Sequence, residues 1–109
     1  MKLVIAVVQD QDVHRLIERL LDGGFSATKL ASTGGFLKEG NTTVLVGIEE
    51  EKVDQVVQLV RDSCQSRKQL VTPMAAVGTS LNSFIPRPIE VPVGGATIFV
   101  LDVDRFEKV

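Results

Sequence analysis

The stretch TKLASTGGFLKEGNTTVLVGIE, Thr28–Glu49, contains two strand-like runs that follow one another without a helical period between them. Phe25, Ala27, Lys29 and Ala31 alternate imperfectly with Ser26, Thr28, Leu30 and Ser32, and TTVLVGIE (Thr42–Glu49) is the clearer strand. Residues 33–41 join them, where a plain hairpin needs only two turn residues. Upstream, KLVIAVVQ (Lys2–Gln9) is continuously apolar and β-branched, the pattern of a covered central strand. Val13, Leu16, Ile17, Leu20 and Leu21 then recur on one helical face, with Asp10 or Asp12 as N-cap and Gly23-Gly24 as stop. Downstream, Glu49–Glu51 place negative charge at the start of a second helix with Val53, Val56, Val57, Val60 and Cys64 on its inner face. After a long irregular stretch, ATIFVLDVDRF (Ala96–Phe106) supplies a last strand, with Ile98, Val100 and Asp102 opposite Thr97, Phe99, Leu101 and Val103.

The order is β-α-β-β-α-β over one domain, residues 1–109. It predicts an α+β, ferredoxin-like fold: a four-stranded antiparallel sheet with both helices on one face. The other sheet face is then open. Val44, Ile48, Phe99 and Leu101 are expected to make it partly apolar, and such a face is normally buried by self-association.

With 12 basic against 14 acidic residues, a net charge of −2, the chain has no positive field for general nucleic-acid binding. Leu3–Val8 is too short to span a bilayer and lacks a signal-peptide layout after it, so a cytoplasmic protein without membrane insertion is expected. The single cysteine, Cys64, has no disulfide partner and no metal-ligand spacing around it; it reads as a buried helical residue. The only histidine, His14, lies outside the apolar stripe of its helix and reads as a surface residue. Neither G-x-x-x-x-G-K-[ST] nor G-x-G-x-x-G occurs. Glu49–Glu51 fall at a helix start and Asp102 and Asp104 along a strand, so neither set forms an acid-base pair. The reading is a protein that is not an enzyme and carries no metal or cofactor.

Two connections exceed what this topology needs, residues 33–41 between strands two and three and 65–92 between the second helix and the last strand. The longer one holds all four prolines, Pro73, Pro86, Pro88 and Pro92, and no charge from Gln69 to Ile85. Met74, Val77, Leu81 and Phe84 make a purely solvated linker a poor description, which leaves a partly ordered loop or one that binds a partner or responds to a ligand. In the shorter one, Gly34-Gly35 can turn several N–H groups toward an anion, and Phe36 offers a flat surface to a base. Asn41 and Thr28 supply directional polar groups, and Gly47 within a strand marks close approach of a ligand or another backbone. These residues fit a phosphate-plus-base ligand; they also fit a Gly-Gly turn whose Phe36 and Leu37 fill an apolar gap.

MKLVIAVVQDQD, TKLASTGGFLKEGNTT followed by LVGIE, and CQSR with TP after it resemble the PII-like cyclic di-AMP receptor family (PstA/DarA type) over nearly the whole chain. The resemblance implies a homotrimer of ferredoxin-like subunits with one cyclic di-AMP in each cleft between neighbours. It implies a signal-transduction receptor whose loops regulate an unidentified downstream protein. Family contacts fall on Thr28, Gly35, Phe36, Leu37, Asn41, Gly47 and Phe99, with Ser26, Ala27 and Lys108 beside them. Phe36 and Leu37 would enclose an adenine, Thr28 and Asn41 would make polar contacts, and Gly47 would leave a narrow pocket. The chain departs from the family pattern at Gly24 and Ser26, where larger polar residues are frequent, and at Lys108, where a glutamine stands. A PII-like regulator that binds ATP or ADP shares the fold but calls for more basic residues in the loops, and an interaction module without a nucleotide is the other alternative.

Overall fold

The computed structural model describes residues 1–31, 40–71 and 88–109. The apolar run Lys2–Gln9 forms β1, which has a neighbour on each side, as a strand without polar interruptions should. After it come α1 (Asp10–Asp22), β2 (Thr28–Ala31), β3 (Asn41–Ile48), a single 3₁₀ turn (Glu50–Lys52) and α2 (Val53–Cys64). β4 (Arg67–Val71), β5 (Ile89–Val93) and β6 (Ala96–Asp102) complete the order. The main sheet runs β2-β3-β1-β6 with every pair antiparallel. This order is compatible with the expected ferredoxin-like fold.

Strand alternation sorts the side chains. Val4, Ala6 and Val8 of β1 and Val44, Val46 and Ile48 of β3 are buried under the helices, which contribute Val13, Leu16, Leu20, Val56, Val60 and Cys64. Both helices lie on β1 and on each other, α1 reaching β3 and α2 reaching β6. Each fully buried aliphatic side chain contributes roughly 1.5–3 kcal/mol, so this layer is the main source of stability. Leu3, Ile5, Val7 and Leu45 point the other way and are half-buried, with Leu30, Phe99 and Leu101 exposed beside them. Val44 and Ile48 therefore do not belong to the open face as expected; the two-residue strand period puts them in the core and leaves Leu45 and Gly47 outside. Phe99 and Leu101 lie where the sequence placed them.

Helix α1 ends at the Gly pair. Phe25 N–H donates to Leu20 O at 2.9 Å and Gly24 N–H to Leu21 O at 3.0 Å, a Schellman closure with Gly24 at φ +84°. Phe25 follows it into the core, so β2 begins at Thr28 rather than Phe25. The N-terminus differs from expectation. Gln9 is the N-cap residue, with no side-chain cap, and Asp10 and Asp12 stand in the first turn, where the helix dipole favours them. Asp12 is fully buried and takes a two-pronged ion pair from Arg67, at 2.8 and 3.3 Å, with Arg15 at 3.1 Å. Arg15 also donates to Ser63 O at 2.6 Å, fastening α1 to the end of α2. Cys64 is buried and His14 is exposed beside Glu18, as read from the sequence.

The 65–92 connection is not wholly irregular. β4 and β5 pair antiparallel as a separate two-stranded sheet, an arm in which Leu70, Val71 and Ile89 are exposed. Pro92 is tolerated because a two-stranded sheet leaves every strand an outer edge.

Candidate ligand-binding site

The register carries one row of side chains across the open face: Thr28 opposite Leu45, Leu45 opposite Ile5, Ile5 opposite Phe99. Thr28 and Phe99 thus stand on the two outer strands, roughly 14 Å apart by strand spacing. Asn41 and Gly47 also lie on this face, at the two ends of β3. The six residue steps between them amount to about 20 Å.

Each end of β3 carries its own hollow. Around Gly47, a cavity of about 230 Å³ is lined by Met1, Gly24, Ser26, Glu49 and Lys52 among others. A Cβ added at Gly47 would meet nothing nearer than Met1 Sδ, at 3.9 Å, so the fold itself does not demand glycine there. Around Asn41, a cavity of about 280 Å³ is lined by Val7, Gln9, Gly94, Gly95 and Thr97 among others. Its side-chain polar groups are the Gln9 and Asn41 amides and the Thr97 hydroxyl, suited to base edges and phosphate oxygens.

The expected site residues are therefore distributed. Ser26 and Gly47 share one cavity, Asn41 lines the other, and Thr28 and Phe99 share the open face between them. Ala27 packs against the core, so only its backbone faces outward chemistry. Lys108 is exposed in the tail beyond β6, outside both cavities. Gly35, Phe36 and Leu37 lie outside the described residues. Lys52, Gln9, Thr97 and the pair Gly94-Gly95 were not singled out from sequence. The glycine pair was the only visible signal; the others become neighbours of Gly47 and Asn41 through strand register alone. Lys52 brings a cation to the Gly47 hollow, with the Glu49 carboxylate on its rim.

A third hollow of about 500 Å³, between α2 and β6, contains Cys64 and none of the expected residues. Burial, and next the nearby Asp12 carboxylate, push the Cys64 thiol up to about 11, so it stays protonated at neutral pH. Among the described residues no cluster of three His, Cys, Asp or Glu side chains could hold a metal, and no helix is long and apolar enough to cross a membrane.

A family model described as cyclic-di-AMP receptor matches residues 1–109. The chain belongs to this family. It is also similar to the solved structure of a functionally unknown protein from Pediococcus pentosaceus ATCC 25745. The two chains are 44% identical, with a TM-score of 0.80, over 99% of this chain and 96% of that one. Membership in the cyclic-di-AMP receptor family gives the chain a ligand class, a dinucleotide with two bases and two phosphodiesters.

Proposed function

We propose that the chain is a cytoplasmic cyclic di-AMP sensor that forms a homotrimer and binds the dinucleotide in the clefts between neighbouring subunits. The family match over the full length carries the ligand. The division of expected contacts between two half-sites supports the cleft, because one copy's Asn41 hollow and the next copy's Gly47 hollow can close around one molecule. Asn41 and Thr97 read polar groups, Gly47 and Gly24 leave room for close approach, and Lys52 pairs with a phosphodiester. Thr28, Gly35, Phe36, Leu37, Ser26, Ala27, Phe99 and Lys108 complete the contacts. Ligand contact with the 33–41 connection alters the 65–92 segment, which a downstream protein reads. The role is binding rather than turnover, with no cofactor.

Mixed trimers test the cleft. Asn41→Ala and Gly47→Leu subunits, each defective alone, are unfolded together, refolded and titrated with cyclic di-AMP. A shared site restores about one intact cleft in four, by random assembly of a cyclic oligomer. A site held within one subunit restores none.

A further inference from the structure

The turn between β1 and α1 holds both sides of the Asn41 hollow. On one side Asp10 N–H donates to Gly40 O at 2.9 Å, and Thr42 Oγ1 donates to the Asp10 carboxylate. Gly40, at φ +62°, lies so close that an added Cβ would come within 2.6 Å of Asp10 Oδ2. Asp10 therefore fixes Gly40-Asn41-Thr42, the described residues at which the 33–41 connection enters β3. On the other side Gln9 Oε1 accepts from Gly94 N–H at 2.7 Å, and Asp12 takes the forked pair from Arg67 at the foot of β4.

Gly94 and Gly95 join the arm to β6 and wall the same hollow as Asn41. Their φ values are +80° and +92°, and a Cβ on Gly94 would lie 2.6 Å from both Arg67 Nη1 and Gln65 O. Gly95 N–H is tied to Cys64 O at the end of α2. A two-stranded arm is only marginally stable alone, so its orientation depends on these few bonds at its foot. Three of them end on residues Gln9 to Asp12, the same turn whose Asp10 sets Asn41.

We propose that the Gln9–Asp12 turn and the Gly94-Gly95 joint form one linkage through which a ligand at the Asn41 hollow sets the β4–β5 arm, Asp10 and Gln9 being positioning residues. This rests on the nucleotide-binding reading and names the regulation of that site. The ligand touches the wall that Gly94 forms, the Gln9 side chain at the end of β1 accepts from both Gly94 N–H and the Gln11 amide, and the Asp12–Arg67 fork holds the arm to the same turn. Linkage makes the effect reciprocal: what loosens the arm changes affinity at Asn41 by the factor with which the ligand changes the arm.

Arg67 lines neither half-site and is about one-third exposed, so Arg67→Gln frees the arm while sparing the helix-covered core. Calorimetric titration of Arg67→Gln with cyclic di-AMP should show a shift in Kd of at least about 5-fold, the lower end of ordinary coupling, with His14→Ala unchanged. Hydrogen exchange at Gly94, Gly95 and residues 67–71 and 89–93 should change on adding the dinucleotide. Wild-type Kd in Arg67→Gln together with ligand-independent exchange in the arm overturns the linkage and leaves the ligand reading intact. The ligand-free protein decides separately. Thr42→Val, which removes only the hydroxyl bonded to Asp10, should raise exchange at Gly94 and Gly95 by at least about 5-fold, on the scale of local opening. Unchanged rates there overturn the proposal. Failure of the wild type to bind cyclic di-AMP counts against the ligand alone, because the Thr42→Val comparison needs none.

Discussion

Gly47 separates folding from binding at a single position. Glycine weakens a strand, and the space beyond its Cα is free to 3.9 Å, so Gly47→Ala should fold with stability equal to or slightly above wild type. Cyclic di-AMP affinity should nevertheless fall by at least about tenfold, a loss of about 1.4 kcal/mol, because the added methyl occupies ligand space. Urea denaturation and calorimetric titration on the same sample check both halves; unaltered affinity removes Gly47 from the site. Gly24 is the opposite case. Its positive φ closes α1, so Gly24 has a folding role whatever its part at the ligand. The open space beside Gly47 was foreshadowed in sequence, because a glycine inside a β-branched strand is anomalous. Lys52 was not legible, since an exposed lysine at a helix start is unremarkable until the fold sets it beside Ser26 and Gly47.

The elements whose hydrophobic period was strong were legible almost to the residue. β1 matches its predicted bounds, α1 stops at the predicted glycines, and the α2 stripe lies inward at Val56, Val60 and Cys64. β4 and β5 were missed because neither RKQLV nor IEVPV alternates cleanly and Pro92 interrupts the second. Their pairing spans too many residues to leave a hairpin signature. Asp12 was misread as a cap because its partner, Arg67, is distant in sequence. At the far end of the outer strand β6, Lys2 pairs with Asp102 across the register that sets them opposite each other. Hydrogen bonding to Lys2 holds the Asp102 carboxyl below its ordinary 3.8, and Asp102 in turn holds the Lys2 ammonium above its ordinary 10.5. The depressed carboxyl stabilises the fold above 3.8, an effect lost as pH falls through its folded value; the raised ammonium stabilises it below 10.5, lost as pH rises through its own. The difference in urea midpoint between wild type and Asp102→Asn should accordingly be flat between those limits, small because the pair is exposed, and reduced by 1 M salt, where the screening length is about 3 Å. A difference that varies across mid-range pH contradicts this assignment.

For the whole molecule, the open face is the feature that a single chain leaves unfinished. Leu30, Phe99 and Leu101 are exposed there beside half-buried Leu3, Ile5 and Leu45, an apolar patch of the kind that association covers. In the proposed trimer this burial also brings the half-sites of neighbouring copies together, so assembly and ligand binding depend on one surface. Leu101→Glu, which puts a charge in the patch without touching the helix-covered core, should shift light-scattering mass from trimer to monomer and reduce cyclic di-AMP binding in proportion. A trimer of unchanged stability places the contact elsewhere. A mixed α+β plan with two helices over an antiparallel sheet was readable from element order because both helices are amphipathic; the proposed cleft between subunits came from the family resemblance alone, because residue patterns within one chain carry no record of a neighbour. Calorimetric titration of the wild-type protein with cyclic di-AMP, cyclic di-GMP and ATP tests the central claim most directly. Cyclic di-AMP should bind saturably at one molecule per subunit, and the other two at least about 100-fold more weakly, a discrimination of about 2.7 kcal/mol. Equal or tighter binding of ATP, or no binding of cyclic di-AMP, contradicts it.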